Sequence, residues 1–247
     1  MSLQLVIPAS GLGSRFSVQG YTTPKPLLPV GSKTMIETVL ENLSHPKLSK
    51  VIVIMNSQQA KSANIEQLLS KRSPKVTLLT IDYLTDGPAS TSIIAKPFLD
   101  PSLPLVIANS DQYLATDFKK EYEYLSSNEG VIWAMEDNDK KWSYVKVDGE
   151  MYATALKEKE VISPYATCGV YGFAKASSFF NAYQEMVEHK DKVNNEYYVA
   201  PSYNYLIAKG ERILVRNLGL TKDIMFGLGT PEDYEHFLTT PTMKSLN

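Results

Sequence analysis

Short, mostly apolar runs punctuate the first half of the chain: Leu3 to Pro8, Val51 to Met55, Val76 to Ile81 and Leu103 to Ala108. They are rich in β-branched residues and end in turn-forming residues, which predicts strands buried on both faces. Amphipathic segments separate them. From Thr34 to Leu43, the residues Met35, Ile36, Val39, Leu40 and Leu43 fall on one helical stripe, and Thr34 with Glu37 forms a capping box at its start. Residues 58–70 carry Ile65, Leu68 and Leu69 at helical spacing, and Pro88 to Ala95 reads as a helix led in by Gly87. Strands alternating with helices predict right-handed βαβ units and a parallel sheet.

The second half changes character. Val131 to Met135, Tyr144 to Val147 and Gly169 to Phe173 read as strands, and Asp148-Gly149 is a hairpin signal. Helices are expected over 176–188 and 197–208, then a strand over Arg212 to Arg216. A last helix opens with Thr230 as its cap and Pro231 in its first position. The expected fold class is α/β: a Rossmann-like, mostly parallel or mixed sheet flanked by helices, in a single domain. With 43% apolar residues, 15 Tyr and 8 Phe in 247 residues, the chain can build such a core without a disulfide or metal staple. The one cysteine, Cys168, fits a reducing compartment and a small buried hydrophobe. No leader-like start and no apolar run near ~18 residues is present, so a soluble, cytoplasmic protein with no membrane partner is expected.

Charge refines this picture. The net charge of −2 argues against a nucleic-acid partner. Residues 1–81 nevertheless carry nine Lys/Arg against three Asp/Glu, and residues 82–247 carry sixteen against twenty-four. Lys47, Lys50, Lys61, Lys71 and Lys75 read as solvated faces; Arg15 and Lys25 stand apart because of where they lie. Residues 9–32 form a 24-residue stretch without periodicity, containing four glycines and three prolines, between a strand and a helix. Loops of that kind are usually functional or disordered, and its place between a strand and a helix reads as functional. Its core is Ala9-Ser10-Gly11-Leu12-Gly13-Ser14-Arg15, where bare glycines let backbone N–H groups crowd an anion and Arg15 offers a planar fork of donors. The dinucleotide fingerprint is excluded because Phe16 stands at its third glycine, and no Gly-Lys-Ser/Thr follows as a P-loop requires. Farther on, Pro24 and Pro26 bracket Lys25 and stiffen its backbone, as a fixed positive charge needs.

Taken in order, these blocks resemble the nucleotidyltransferase (NTP-transferase) family, which includes sugar-1-phosphate nucleotidylyltransferases and the related cytidylyltransferases of surface-polysaccharide pathways. Gly11-x-Gly13-x-Arg15 with Pro24-Lys25-Pro26 resembles its signature. Thr85-x-Gly87-Pro88-Ala89 resembles its nucleobase-proximal turn, and Ala108-Asn109-Ser110-Asp111 its strand-end aspartate. Glu158-Lys159 with Gly169-Val170-Tyr171-Gly172-Phe173 resembles its acceptor stretch. Glu196-Tyr197-Tyr198 and Gly229-Thr230-Pro231-Glu232-Asp233 resemble later landmarks. The resemblance implies an NTP-binding half over 1–125 and an acceptor-binding half over 126–247. It implies attack of an acceptor phosphate on the α-phosphorus of an NTP, with pyrophosphate leaving and Mg²⁺ as cofactor. It assigns Ala9, Ser10, Gly11, Leu12, Gly13, Thr85, Gly87, Pro88, Ala89 and Asn109 to the nucleotide. Arg15, Lys25 and Asp111 would be catalytic, with Asp111 on the metal, and Glu158, Lys159, Gly169 and Glu196 would face the acceptor. A pyrimidine triphosphate (CTP, UTP or dTTP) and a sugar phosphate or other phosphorylated small molecule are the expected substrates.

Independently of the resemblance, Asp111 follows a buried strand, at the end where open α/β sheets bind ligands; its plain alternative is a helix N-cap. Lys159 has a solvated charge run as its alternative, and Glu196 a helix start. One departure stands out: the family's second metal-binding aspartate, just before the late Gly-Thr-Pro, is replaced by Gly227, and Asp223 is the nearest acid in sequence. That departure leaves room for a non-catalytic NTP-binding module. A nucleotide-sugar glycosyltransferase is a further alternative, although Asn109-Ser110-Asp111 lacks its usual paired acids. Trp133 and Trp142 read as packing residues, and His45, His189 and His236 have no metal-type spacing.

Overall fold

The computed structural model describes residues 2–61, 65–72 and 75–246. Nine strands among them form the main sheet: β1 (Leu3–Ala9), β2 (Leu48–Asn56), β3 (Val76–Ile81), β4 (Leu105–Ala108), β5 (Gly130–Glu136), β6 (Ser143–Val147), β7 (Ala153–Glu158), β8 (Tyr165–Phe173) and β9 (Ile213–Leu220). The order runs β7-β6-β8-β4-β1-β2-β3, with β5 paired to β8 and β9 paired to β5. The β3-β2-β1-β4 portion is parallel and β8 runs antiparallel to β4, so the sheet is mixed, as the α/β expectation allowed. Alternation along β1 and β2 sends Leu5, Ile7, Val53 and Met55 into one core and Val6, Ile52 and Ile54 into the other. A third cluster of Phe16, Leu28, Met35, Leu228, Tyr234 and Phe237 clamps the loop after β1 to helix Pro231–Thr239, which a further short helix, Pro241–Lys244, follows.

Local signals hold at several boundaries. Helix Met35–Asn42 is opened by the Thr34–Glu37 capping box, with both reciprocal bonds present. Asp148-Gly149 lies in the turn joining β6 to β7, and Thr230 caps Pro231–Thr239 by accepting from the Asp233 N–H. Other boundaries differ. Residues 9–32 are not featureless, for they hold a helical turn at Ser14–Val18, a 3₁₀ turn at Lys25–Leu27 and a two-residue strand at Pro29–Val30. Pro88–Ser92 is α-helical but continues as 3₁₀ over Ile93–Phe98, ending just past Pro97. β4 begins at Leu105, beyond Pro104, which has no N–H for a ladder. The helix expected over 58–70 is seen at Ser57–Lys61 and Ile65–Arg72; its residues 62–64 lie outside the described residues. The helix expected over 197–208 spans only Tyr203–Ala208, after a 3₁₀ turn at Ala200–Ser202. Pro201 accounts for this, since its ring would meet the carbonyl of Tyr197 in a helix; that carbonyl instead accepts from Ala89 N at 3.0 Å.

Candidate active site

β1 ends at Ala9 and the chain turns through the glycine-rich loop. Gly13, with φ +66°, caps the Ser14–Val18 turn, and a Cβ there would stand 3.1 Å from Cβ of Lys25. The absence of that methyl lets the Lys25 segment lie against the loop. A chain of hydroxyls secures it from beneath: Ser10 Oγ and Thr91 Oγ1 lie 3.2 Å apart, and Thr91 Oγ1 and Thr85 Oγ1 2.6 Å apart. Gln59 Nε2 donates to Gly11 O at 3.2 Å. Thr91 is a site-building residue that the sequence did not single out, because a buried hydroxyl on a short helix has no local signature.

Lys25 opens the 3₁₀ turn between its two prolines, and its Nζ lies 2.6 Å from Asp111 Oδ2, with side-chain exposures of 17% and 30%. Asp111 lies just past the carboxyl end of β4 and is followed by a short strand, Gln112–Leu114, so the helix-cap alternative falls away. Two cavities meet here. One, of about 300 Å³, is walled by Ser10, Gly11, Lys25, Thr85 and Gly87. The other, of about 400 Å³, is walled by Arg15, Trp142, Glu158, Lys159 and Tyr198. Pro88, Asn109 and Asp111 belong to both walls.

Two glycines owe their place to steric necessity. At Gly87, φ +102°, a Cβ would lie 2.8 Å from Tyr197 O and 2.9 Å from Glu196 Cβ. At Gly169, φ +70°, it would lie 2.3 Å from Asn109 Nδ2 and 2.5 Å from Gln112 Oε1. Gly169 thus lets β8 pass against the Asn109 corner, and its carbonyl accepts from Asn109 N at 2.9 Å.

On the second cavity's wall, Lys159 sits in the left-handed region at φ +58°, where a side chain is held at some cost. Its Nζ donates to Tyr198 Oη at 2.9 Å, and Tyr198 Oη in turn donates to Glu196. Burial raises the Tyr198 phenol above its ordinary value, and the bond to Glu196 adds to the shift. Trp142, expected to serve packing, does pack against the core but also lines this cavity, with Lys141 Nζ 4.8 Å from its ring centre.

Burial also pushes the Glu158 carboxyl above its ordinary value, against the opposing pull of a hydrogen bond from Ser143 and the charge of Lys159. A carboxyl whose pKa rises on folding favours the folded state below its unfolded value. That contribution is lost as the pH climbs through the folded value. Glu158→Gln, which keeps an acceptor for Ser143, should therefore raise Tm by about 1–2 °C at pH 8 and leave it unchanged or lower at pH 4. Calorimetric melting at the two pH values checks it; a gap that does not open with pH would overturn the assignment.

Not every expected residue reaches the cavities. Ala89 is fully buried and its N–H is spent on Tyr197 O. Leu12 points outward at 62% exposure. Arg15 lies on the second cavity's wall and, among the described residues, makes no ion pair. Glu196 falls on the first cavity rather than the second, since the Val193–Glu196 bridge and left-handed Asn194 and Asn195 fold it against Gly87. Tyr198, two residues on, lines the second cavity.

Open α/β sheets bind ligands beyond the carboxyl ends of their strands. The two adjoining cavities lie beside the glycine-rich loop after β1 and the carboxyl end of β4 in this α/β sheet. Residues 4–209 match the family described as Nucleotidyl transferase, and the chain belongs to that family. Among curated proteins, the 2-C-methyl-D-erythritol 4-phosphate cytidylyltransferase of Shewanella amazonensis (strain ATCC BAA-1098 / SB2B) is 38% identical over 77 residues. That match covers 31% of this chain and 30% of that protein, so the chain spans under a third of the length of the curated relatives it matches. The nucleoside-diphosphate-sugar pyrophosphorylase from Vibrio cholerae RC9 shares the fold with a TM-score of 0.81, covering 96% of this chain and 100% of that one at 22% identity. A UDP-glucose pyrophosphorylase complexed with UDP-glucose shares it with a TM-score of 0.78, 99% and 100% coverage and 17% identity. No helix among the described residues is long and apolar enough to cross a membrane.

Proposed function

We propose that this chain moves a nucleotidyl group from a pyrimidine nucleoside triphosphate to a sugar phosphate or similar phosphorylated small molecule, releasing pyrophosphate. The observation that carries the reading is the placement of Asp111, bearing the Lys25 ammonium, on the wall common to both cavities. The triphosphate lies on the Ala9–Gly13 backbone. Arg15, Lys141 and Lys159 around the second cavity supply the positive charge that an acceptor phosphate needs. An acceptor oxygen forms a bond to the α-phosphorus while the bond from that phosphorus to the bridging oxygen breaks, and the electron pair leaves with pyrophosphate. Lys25 meets the charge on the α-phosphoryl oxygens, and catalysis rests on positioning and electrostatics. Asp111 and phosphate oxygens are an all-oxygen donor set that suits Mg²⁺, which when bound neutralises phosphoryl charge. The base preference draws on the cytidylyltransferase relatives and on the fold neighbour that holds UDP-glucose. Synthesis of precursors for capsule or other surface polysaccharides in the cytoplasm is the role the sequence resemblance implies.

Pyrophosphate release tests the reading. Each of the four NTPs is supplied with Mg²⁺, alone and with a panel of hexose 1-phosphates, polyol phosphates and phosphocholine. Release that requires both an NTP and one acceptor, matched by an equal amount of activated product, is expected. Thermal stabilisation by an NTP without turnover on any acceptor would instead favour a binding module; saturation at 100 times Kd stabilises by about 2.7 kcal/mol and is easily read.

A further inference from the structure

Resting on the reading above, the inference concerns how the chain replaces the carboxylate missing at position 227. The segment Gly227-Leu228-Gly229 runs beside Asp111, with Leu228 N donating to Asp111 O at 2.8 Å. Leu228 is fully buried in the cluster with Phe16 and Tyr234, while Gly227 and Gly229 both line the second cavity together with Asp111. An acid stands against the bare face of each glycine. A Cβ on Gly229 would lie 2.9 Å from Asp111 Oδ2. A Cβ on Gly227 would have Asp233 Oδ2 at 3.3 Å, Asp233 Cγ at 3.4 Å and Asp233 Cβ at 3.6 Å as its three nearest neighbours.

We infer that Asp233 is the second carboxylate of the Mg²⁺ site, its side chain filling from the first turn of helix Pro231–Thr239 the space that an aspartate at 227 would occupy. Asp223, the nearest acid in sequence, is exposed on the short helix Thr221–Ile224 and lines neither cavity. Asp233 does line the second cavity, alongside Asp111 and Arg15. Its Oδ2 accepts from Thr230 Oγ1 at 3.0 Å, which fixes the carboxylate, and Oδ1 carries no hydrogen bond among the described residues. A plain capping role explains the bond to Thr230. It does not explain why the carboxylate occupies the cradle that Gly227 leaves bare. In the free protein, Lys25 holds Asp111 Oδ2 and Thr230 holds Asp233 Oδ2. The ion therefore arrives with the nucleotide, whose phosphate oxygens complete the six that it prefers.

The test is a carboxylate swap read by metal binding. Mn²⁺ serves as the probe and is followed by electron paramagnetic resonance. The protein is saturated with the α,β-methylene analogue of whichever NTP raises Tm most. Asp233→Asn keeps the acceptor for Thr230 and should weaken Mn²⁺ binding roughly 10–100-fold, while nucleotide affinity measured without metal stays unchanged. Asp233→Ala with Gly227→Asp moves the acid back across the cradle. Position 227 has no left-handed backbone to forbid it, so this pair should recover Mn²⁺ affinity to within about threefold of the unaltered protein. Wild-type Mn²⁺ affinity in Asp233→Asn overturns the inference. So does a swapped protein that melts normally and binds nucleotide yet leaves the metal weak. If the unaltered ternary complex takes up no Mn²⁺, the metal-dependent reading beneath the inference fails; if Asp111→Asn loses none, Asp111 is off the metal and the inference is overturned while the nucleotidyltransferase reading stands.

Discussion

Replacing Lys25 by alanine is expected to lower kcat/KM by about 10²–10³, the loss that follows removal of one preorganised charge partner from a developing oxyanion. That range is ~2.7–4.1 kcal/mol of transition-state stabilisation. The size separates two explanations. Lys25 is ion-paired to Asp111 at 2.6 Å, with both side chains partly exposed. A pair at that exposure contributes about 1 kcal/mol or less to folding. If the pair served only to hold the loop, the variant would lose that much stability and turnover would fall by less than tenfold. If Lys25 meets the α-phosphoryl oxygens, turnover collapses while Tm moves by only a few degrees. Steady-state kinetics with both substrates varied, beside a melting curve, decides between them; a loss under tenfold removes Lys25 from the catalytic set. Gly13 joins this argument because a Cβ there would crowd Lys25 Cβ at 3.1 Å and its φ of +66° disfavours any side chain.

What could be read in the sequence is what is specified over a few neighbouring residues. The β1, β2 and β3 runs, the Thr34–Glu37 box and the Thr230 cap depend on neighbours within a turn, and they form where pattern and cap chemistry put them. The aspartate at the end of β4 could be read because strand-end position is itself a functional signal in this kind of sheet. What could not be read depends on contacts far apart in sequence. β7, with sequence Ala-Thr-Ala-Leu-Lys-Glu, has little apolar alternation, and its place is fixed by pairing with β6 across the Asp148 turn. The place of Glu196 on the first cavity is set by Tyr197, whose N–H and carbonyl are both claimed by the Asp86–Ala89 segment, a pairing that local spacing does not announce. The roles of Tyr198 and Thr91 depend on hydroxyl contacts that no spacing announces. Asp233 reads locally as a helix-opening acid, and only the folding of helix Pro231–Thr239 against the loop after β1 brings it to the bare side of Gly227.

Asp111→Asn carries the largest expected effect. The substitution preserves shape and one acceptor oxygen but removes the charge that both Lys25 and a divalent ion require. Mg²⁺-dependent turnover should fall by more than about 10³, the upper end of what losing one electrostatic partner costs, because here the partner of Lys25 and the metal ligand are lost together. Stability tells the two roles apart. In the free protein the change breaks one partly exposed ion pair, so Tm should fall by only a few degrees in a chain of this length. A double variant, Lys25→Ala with Asp111→Asn, sharpens the comparison. If the pair is structural, the double variant is no less stable than either single one, because the second change removes a partner already alone. In catalysis the two losses should also fall short of adding, since residues that act on one phosphoryl group act as a unit. Titrating Mg²⁺ against turnover completes the test. A ligand aspartate predicts that raising Mg²⁺ recovers part of the lost rate in Asp111→Asn, because a weakened site fills at higher concentration, and none of it in Lys25→Ala. Equal, metal-independent losses in the two variants would place Asp111 behind Lys25 as its anchor and take it off the metal.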